Sequence, residues 1–356
     1  MTKPHLILGI GELLWDILPE DSRHAGVPSI DPHATSMLGG APANFTVMAG
    51  RLGNHAAILS RIGRDELGRL AVDRLDPMPV DTSALEVDPV HETGRVTVSF
   101  ANGEPRYTIH QPAAWDFMEL TDEWVKLAER ADAICFGSLA QRSVESRKTI
   151  QTLVANAPAA CIRVFDVNLR APFYSPEVVQ ESLELATALK MNEDEVPLIL
   201  DLLGLPLGTE PMRQNAQFQR TCAGRLLAEF PALALVAITR GSRGSLLVNR
   251  EEWHDHPGLQ VKVADPIGAG DAFTAAMTHY LLRGADLATL NEAGNRWGAW
   301  VATQSGAMPY LSEPVRAGSL QRLNPAFDFG LSQQCGNFAS QMSAECIDKS
   351  EHHPLG

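Results

Sequence analysis

Short apolar, β-branched runs alternate with helical patterns along most of the chain. The clearest runs, at 6–10, 56–60, 133–136, 162–166 and 235–239, read as strands. Between them, Phe45, Met48, Ala49 and Leu52 recur at i, i+3, i+4 and i+7, which predicts a helix over 41–53. The same periodicity predicts helices over 121–130, 143–155, 176–189, 213–229, 270–283 and 286–303. Strand and helix in alternation imply an α/β fold, with a mostly parallel sheet covered by helices.

Two stretches break this rhythm. Residues 12–38 are rich in Pro, Asp, His and Ser and carry no helical period. Residues 92–110 form two alternating strands around Ala101-Asn-Gly-Glu104, a hairpin signal. Together they predict a small β lid built from inserts at about 12–38 and 92–115, able to close over a ligand and exclude water. Residues 321–356 turn polar and aperiodic and read as a C-terminal tail behind a main domain of 1–320. No internal repeat is visible.

Composition narrows the class. With 45% hydrophobic and 20% charged residues, the 356-residue chain can bury a sizeable core. No run approaches the roughly 18 apolar residues of a membrane helix, and the first ten residues read as a strand rather than a secretory signal. A net charge of −14 disfavours nucleic acid as the main partner, but not a small anion held by local donors. Five scattered cysteines contain no Cys-x-x-Cys pair, which argues against a disulfide scaffold or structural zinc. The sequon at Asn44 has no sign of secretion beside it. The expected location is the cytoplasm.

Four segments could carry chemistry. In Asp265-Pro-Ile-Gly268-Ala269-Gly270-Asp271, a Gly-x-Gly turn opens a helix whose backbone N–H groups suit a phosphate. Asp271 in the first turn would then lie where a general base is wanted. In isolation, the plainer reading is a first-turn acid. Asn192 and Glu195 are three apart on one helical face and suit Mg²⁺ through water, or simply a capping box. Thr239-Arg-Gly241-Ser242-Arg-Gly244 follows a strand and makes a phosphate and ribose cradle or a plain turn. Gly39-Gly40 with Asn44, and Asp16 beyond the first strand, offer backbone approach, an amide and a carboxylate for a polyol, or else a turn and a cap.

Absences sharpen the picture. There is no Gly-x-x-x-x-Gly-Lys-Ser/Thr, and Gly9-Ile-Gly11 lacks the third glycine of a dinucleotide fingerprint, which sets aside a nicotinamide dehydrogenase. His254 and His256 belong to no metal-ligand pattern.

In this order and spacing, the pieces resemble the ribokinase-like (PfkB) carbohydrate kinases over roughly residues 5–315. Asp265 to Phe273 is similar to that family's Asp-Thr-x-Gly-Ala-Gly-Asp-x-Phe signature, with Pro266-Ile267 as a departure. The resemblance implies a nine- or ten-stranded three-layer α/β/α sandwich with a β lid, and ATP and Mg²⁺ as cosubstrates. It makes Asp271 the base, and the amides of Gly268, Ala269 and Gly270 the anion hole. It implies sugar contacts at Asp16, Gly39, Gly40 and Asn44, and a nucleotide site at Asn192, Thr239, Gly241, Ser242, Gly244 and Asn295.

Fructokinases look nearest, through Gly11-Glu-Leu-Leu-Trp-Asp16, Thr93-Gly-Arg and Phe165-Asp-Val-Asn-Leu-Arg170. Arg170 would face phosphates or an anionic substrate group, and 2-keto-3-deoxygluconate kinases share much of this pattern. Ribokinase is a further alternative, and outside the class stands a sensing protein, which has no need of a base. A monovalent cation such as K⁺ would lie among Asp265, Ile267, Val301, Gln304 and Gly306, although Tyr310 stands where such kinases place a Ser. A lid strand such as 95–100 could pair two copies into a homodimer or simply cover its own active site.

Overall fold

The computed structural model describes residues 4–17, 36–101, 104–205 and 215–310. The chain opens with β1 (Leu6–Ile10), β2 (Leu14–Ile17), β3 (Ser36–Gly39), α1 (Ala41–Arg51), β4 (His55–Leu59), β5 (Arg61–Gly63), α2 (Glu66–Leu75) and β6 (Glu86–Asp88). The hairpin β7 (Gly94–Ala101) and β8 (Glu104–Ile109) follows, then α3 (Asp122–Ala128), β9 (Ala133–Gly137), α4 (Val144–Asn156) and β10 (Ile162–Asp166). Next come α5 (Pro176–Leu185), β11 (Ala188–Asn192), α6 (Glu195–Leu202), α7 (Ala216–Glu229), β12 (Leu235–Thr239), β13 (Ser245–Val248) and β14 (Trp253–His256). Helices α8 (Ala269–Leu281) and α9 (Leu287–Ala302) close the unit Met1–Pro309. The expected tail at 321–356 lies outside the described residues.

Eight strands form the main sheet, ordered β14-β13-β12-β11-β10-β9-β1-β4. From β4 to β12 every pairing is parallel, and β13 and β14 add two antiparallel strands at one edge. The nine or ten strands implied by the family are therefore eight among the described residues. The chain beyond β4 leaves the sheet, and β5 pairs with β6 in a separate two-stranded ladder. Helices α4 to α7 pack on one face over Leu8, Ile10, Phe136 and Phe165. Helices α1, α8 and α9 pack on one another across the other, giving the three layers expected.

Local chemistry explains most element starts. Asp65, Thr121, Ser143, Ser175 and Asp286 each accept a backbone N–H in the first turn of their helix. The helix expected over 176–189 ends at Leu185, and Ala188 begins β11. No Gly or Pro marks that break, so the parallel ladders with β10 and β12 override the helical pattern.

The lid is a second sheet, ordered β3-β2-β7-β8, standing over the carboxyl end of β1. Trp15 anchors it, with its indole N–H donating to the Leu67 carbonyl at 2.9 Å. The expectation that residues 95–100 form an exposed pairing edge is corrected: β7 is bonded on both sides, and the lid's edges are β3 and β8.

Candidate active site

The carboxyl ends of the parallel strands converge on the N-terminus of α8, the usual position for ligands in such sheets. Gly268 precedes α8 with φ 80°, a left-handed turn that strains any side chain. A Cβ there would also lie 2.6 Å from the Cα of Ala307. Asp265 shapes the approach: Oδ1 accepts from the Ile267 N–H and Oδ2 from the Gly306 N–H, both at 3.0 Å. That contact joins the two loops on which the monovalent-cation residues lie, and it engages both oxygens of Asp265. The Val301 carbonyl is engaged too, by the Gln304 N–H at 2.9 Å.

Asp271 is the acid of the first turn of α8. Its Oδ2 accepts from Asn44 Nδ2 at 2.7 Å, so helix α1 delivers an amide directly to it. Burial, with the Asp166 carboxylate adding to it, pushes the Asp271 pKa up to about 6, against the pull of Lys190, Asn44 and Arg170. Asn44 is itself buried, and its Oδ1 has no hydrogen-bond partner.

Beneath the turn lies a buried ion pair that sequence reasoning missed. Lys190 Nζ in β11 sits 3.0 Å from Asp166 Oδ1, at the end of β10, and Thr274 Oγ1 donates to Asp166 Oδ2 at 2.8 Å. A Cβ on Gly270 would lie 3.0 Å from that ammonium, so Lys190 backs the turn expected to hold phosphate. Burial alone would lower the Lys190 pKa, but Asp166, Glu195 and Asp271 outweigh it and the pKa is raised. The available signal was a charged residue inside the apolar run Ala188-Leu-Lys190-Met, since buried charges are paired.

Asn192 and Glu195 form the capping box. Asn192 Oδ1 accepts from the Glu195 N–H at 3.0 Å, and Glu195 Oε2 accepts from the Asn192 N–H at 2.8 Å. Glu195 Oε1 takes the Leu169 N–H at 2.8 Å. Both side chains are thus committed to the backbone, which leaves Mg²⁺ a contact through water at most. Among the described residues no group of three or more His, Cys, Asp or Glu side chains could hold a metal.

At the end where sugar contacts are expected, Asp16 of β2 faces the glycine pair: a Cβ on Gly39 would stand 3.1 Å from its Oδ2. Burial raises the Asp16 pKa to about 6, while Arg170 opposes and Asp265 adds to the rise. Arg170 is exposed and donates to its neighbour's carbonyl on Leu169 at 3.0 Å. Its charge is nevertheless felt by Glu12, Asp16 and Asp271 alike. The cation that sequence reasoning could assign only loosely therefore faces this cluster.

Thr239, Gly241, Ser242, Gly244 and Asn295 line one cavity of about 320 Å³, which continues to Ala269 and Gly270. That volume falls within the range of small-ligand sites. Its lining also includes Gly298, Ala299 and Ala302 of α9 and the apolar Val261 and Val263. Asn295 reaches the cavity, but its amide is already donated to Ser245 Oγ (2.7 Å) and the Asn291 carbonyl (2.8 Å). The cleft thus has an apolar slot at one end, a helix N-terminus with a buried lysine in the middle, and a carboxylate cluster under a lid at the other. This is the layout of a phosphotransferase that joins a nucleotide to a small polar acceptor.

Comparison with known proteins agrees. Residues 4–314 match the pfkB family of carbohydrate kinases. An uncharacterized sugar kinase from Pyrococcus horikoshii is 30% identical over 311 residues, covering 85% of this chain and 91% of its own. Its ATP complex superposes with a TM-score of 0.68, covering 89% of this chain and 99% of that one, at 28% identity. Escherichia coli fructokinase is 29% identical over 323 residues, 85% of this chain and 94% of the relative. A Vibrio cholerae fructokinase bound to fructose, ADP and calcium aligns at 25% identity with a TM-score of 0.66, covering 85% of this chain and 94% of its own. The chain belongs to the pfkB family of carbohydrate kinases, and it is an ATP-dependent sugar kinase.

Proposed function

We propose that the chain transfers the γ-phosphoryl of ATP to a hydroxyl of fructose, with Asp271 as the general base. The observation that carries this is the 2.7 Å contact between Asn44 and Asp271 at the mouth of α8, with Lys190 behind Gly270. Phosphoryl transfer asks for positioning and charge neutralisation more than covalent chemistry. Asp271 takes the proton of the acceptor hydroxyl, whose oxygen forms the new P–O bond as ADP leaves with the electrons of the old one. The N-terminal turn from Gly268 to Gly270 and the Lys190 ammonium meet the charge spread over the transferring group. The Ala269 N–H already donates to the Pro266 carbonyl at 3.3 Å, so its share in the anion hole requires that weak bond to yield.

Asp16, Gly40 and Asn44 hold the sugar, since a polyol hydroxyl both donates and accepts. Mg²⁺ would arrive with ATP as part of the substrate, and Asn192 and Glu195 would meet it through water. K⁺ would lie beside the Asp265–Gly306 contact, where the chain already engages both carboxylate oxygens.

Fructose as first acceptor is supported by the fructokinase relatives and by the acidic sugar end of the cleft. Arg170 favours a second reading, 2-keto-3-deoxygluconate, whose carboxylate it would meet. ADP release measured across fructose, 2-keto-3-deoxygluconate, ribose, tagatose and adenosine separates these. Asp271→Asn should lower turnover by roughly 10²–10⁴-fold while ATP still binds. Near-normal turnover in that variant would refute the base assignment. Nucleotide binding without stimulation by any sugar would favour a sensing role.

A further inference from the structure

His256 has no part in the roles assigned above, although it is buried at the end of β14. Just beyond it, Leu259, Gln260 and Val261 line the cavity expected to hold the nucleotide. Both nitrogens of its ring are engaged. Nδ1 accepts from the Gly258 N–H at 2.9 Å, so the ring hydrogen is on Nε2, which donates to Glu292 Oε2 of α9 at 2.7 Å. Glu292 holds Arg296 Nε through its other oxygen. Burial would raise the Glu292 pKa, but the hydrogen bonds from His256 and Arg296 outweigh it and the pKa is lowered. His256 therefore donates to a charged acceptor, the stronger kind of hydrogen bond.

The chain leaving His256 interlocks with the turn Gly241–Gly244. Gly244 (φ 82°) and Gly258 (φ 86°) permit the close approach. A Cβ on Gly244 would lie 1.9 Å from the His256 carbonyl oxygen, and one on Gly258 2.3 Å from that of Ser242. Arg240 closes the same corner: its backbone N–H donates to the Gly244 carbonyl at 2.8 Å, and its guanidinium to the His256 carbonyl at 3.1 Å.

Residues 257–264 form a strap fixed to α9 at both ends. At the far end the Ala264 N–H donates to the Ala302 carbonyl at 2.8 Å; at the near end stands the bond from His256 to Glu292. Asn291 also ties α9 to β13 and β14, through the Ser245 and His254 carbonyls, but does not reach the strap. Glu292 and Ala302 are about 15 Å apart along the helix. Between the two anchors, Leu259 to Val263 make no hydrogen bond among the described residues. That span lines the cavity together with Asn295, Gly298 and Ala299 of α9.

We propose that His256 is a positioning residue for the nucleotide, holding the start of this strap to Glu292 so that Leu259, Gln260 and Val261 keep their place beside α9. This rests on the cavity being the nucleotide site.

The test compares His256→Ala, His256→Gln and His256→Asn, beside Ala299→Phe, which fills the cavity directly. MgATP KM, sugar KM, kcat and melting temperature are read for each, with ATP affinity by calorimetry. His256→Ala should raise the MgATP KM roughly tenfold, the worth of one hydrogen bond to a charged group. Sugar KM and kcat at saturation should stay within about twofold, since the strap touches neither the acceptor nor Asp271. Gln places an N–H where the ring has Nε2 and should restore most of the MgATP KM. Asn can still accept from Gly258 but is too short for Glu292, and should behave like Ala.

A normal MgATP KM in His256→Ala overturns the proposal, as does a loss confined to melting temperature and kcat. Rescue by Asn rather than Gln would place the effect in the local turn at Gly258 and overturn the tie to α9. An unchanged MgATP KM in Ala299→Phe would overturn the nucleotide site itself. A raised value there beside a normal His256→Ala would sink only the positioning role.

Discussion

Removing the Lys190 ammonium as Lys190→Met separates its pairing with Asp166 from the role proposed for it at the phosphate. Lys190 is 7% exposed and lies 3.0 Å from Asp166, which is 4% exposed and keeps only the Thr274 hydroxyl once the lysine is gone. Breaking a buried pair on one side costs about 3–5 kcal/mol, because a charge is left without its partner. Asp271 also loses a nearby cation, so its pKa rises further above about 6. Losing a preorganised charge aimed at a transferring group costs about 10²–10³-fold in kcat.

The second variant, Lys190→Met/Asp166→Asn, leaves a neutral amide that can still accept from Thr274. It should recover most of the lost stability and none of the lost turnover. Urea unfolding reports the first quantity, and kcat at saturating MgATP the second. If the double variant regains turnover along with stability, Lys190 is only a structural partner of Asp166 and its role at the phosphate is refuted.

Other outcomes follow from the same geometry. Because the base must be ionised and the Asp271 pKa is about 6, kcat/KM should fall tenfold per pH unit below that value; a limb near pH 4 would contradict the burial argument. Raised from an ordinary 3.8, Asp271 makes the folded state bind more protons than the unfolded one between those values, so its ionisation weakens the fold as pH rises through them. Asp271→Asn should therefore be up to about 3 kcal/mol more stable than the parent at pH 7.5 and no more stable at pH 4, as calorimetry would show. Gly268→Ala places a side chain at φ 80° against the Ala307 backbone, which should cost about 1–2 kcal/mol from the left-handed turn alone and lower kcat. Arg142→Ala strands Asp116, now held at 2.7 and 2.8 Å, and should cost about 3–5 kcal/mol in unfolding free energy.

How far these features were visible in the sequence depends on their range along the chain. Strands β1, β10 and β12 stood out as apolar runs at their observed bounds, and the lid hairpin was announced by Asn102-Gly103. Strand β11 was hidden because Val179, Leu183, Ala186 and Leu189 extend a helical pattern, and only its neighbours in the sheet choose the strand. Asp271 was legible through the company of its motif, not by its own turn. Lys190 and Asp166 were not, because each takes its meaning from a partner on another element: Asp166 one strand away, Thr274 over a hundred residues on. For Asn192 and Glu195, spacing fitted a metal and a cap equally, and the N–H partners decided for the cap.

The charge balance of the cleft explains why these partners matter together. Asp16, Glu12, Asp166 and Asp271 gather at one end of the sheet against Lys190 and Arg170, an excess of acid where a polyphosphate must come. Ionising all four opposes ATP, burial makes ionisation of Glu12, Asp16 and Asp271 harder, and the α8 N-terminus and the proposed Mg²⁺ would supply positive charge. The same burial lifts Asp271 from a weak base toward the working pH, where proton removal from a hydroxyl becomes effective. One physical cause thus serves both needs, and its cost appears as lost stability at neutral pH. A variant that neutralises Glu12, Asp16 or Asp271, each with a raised pKa, should stabilise the empty protein at neutral pH, and only Asp271→Asn should do so by sacrificing the proposed base.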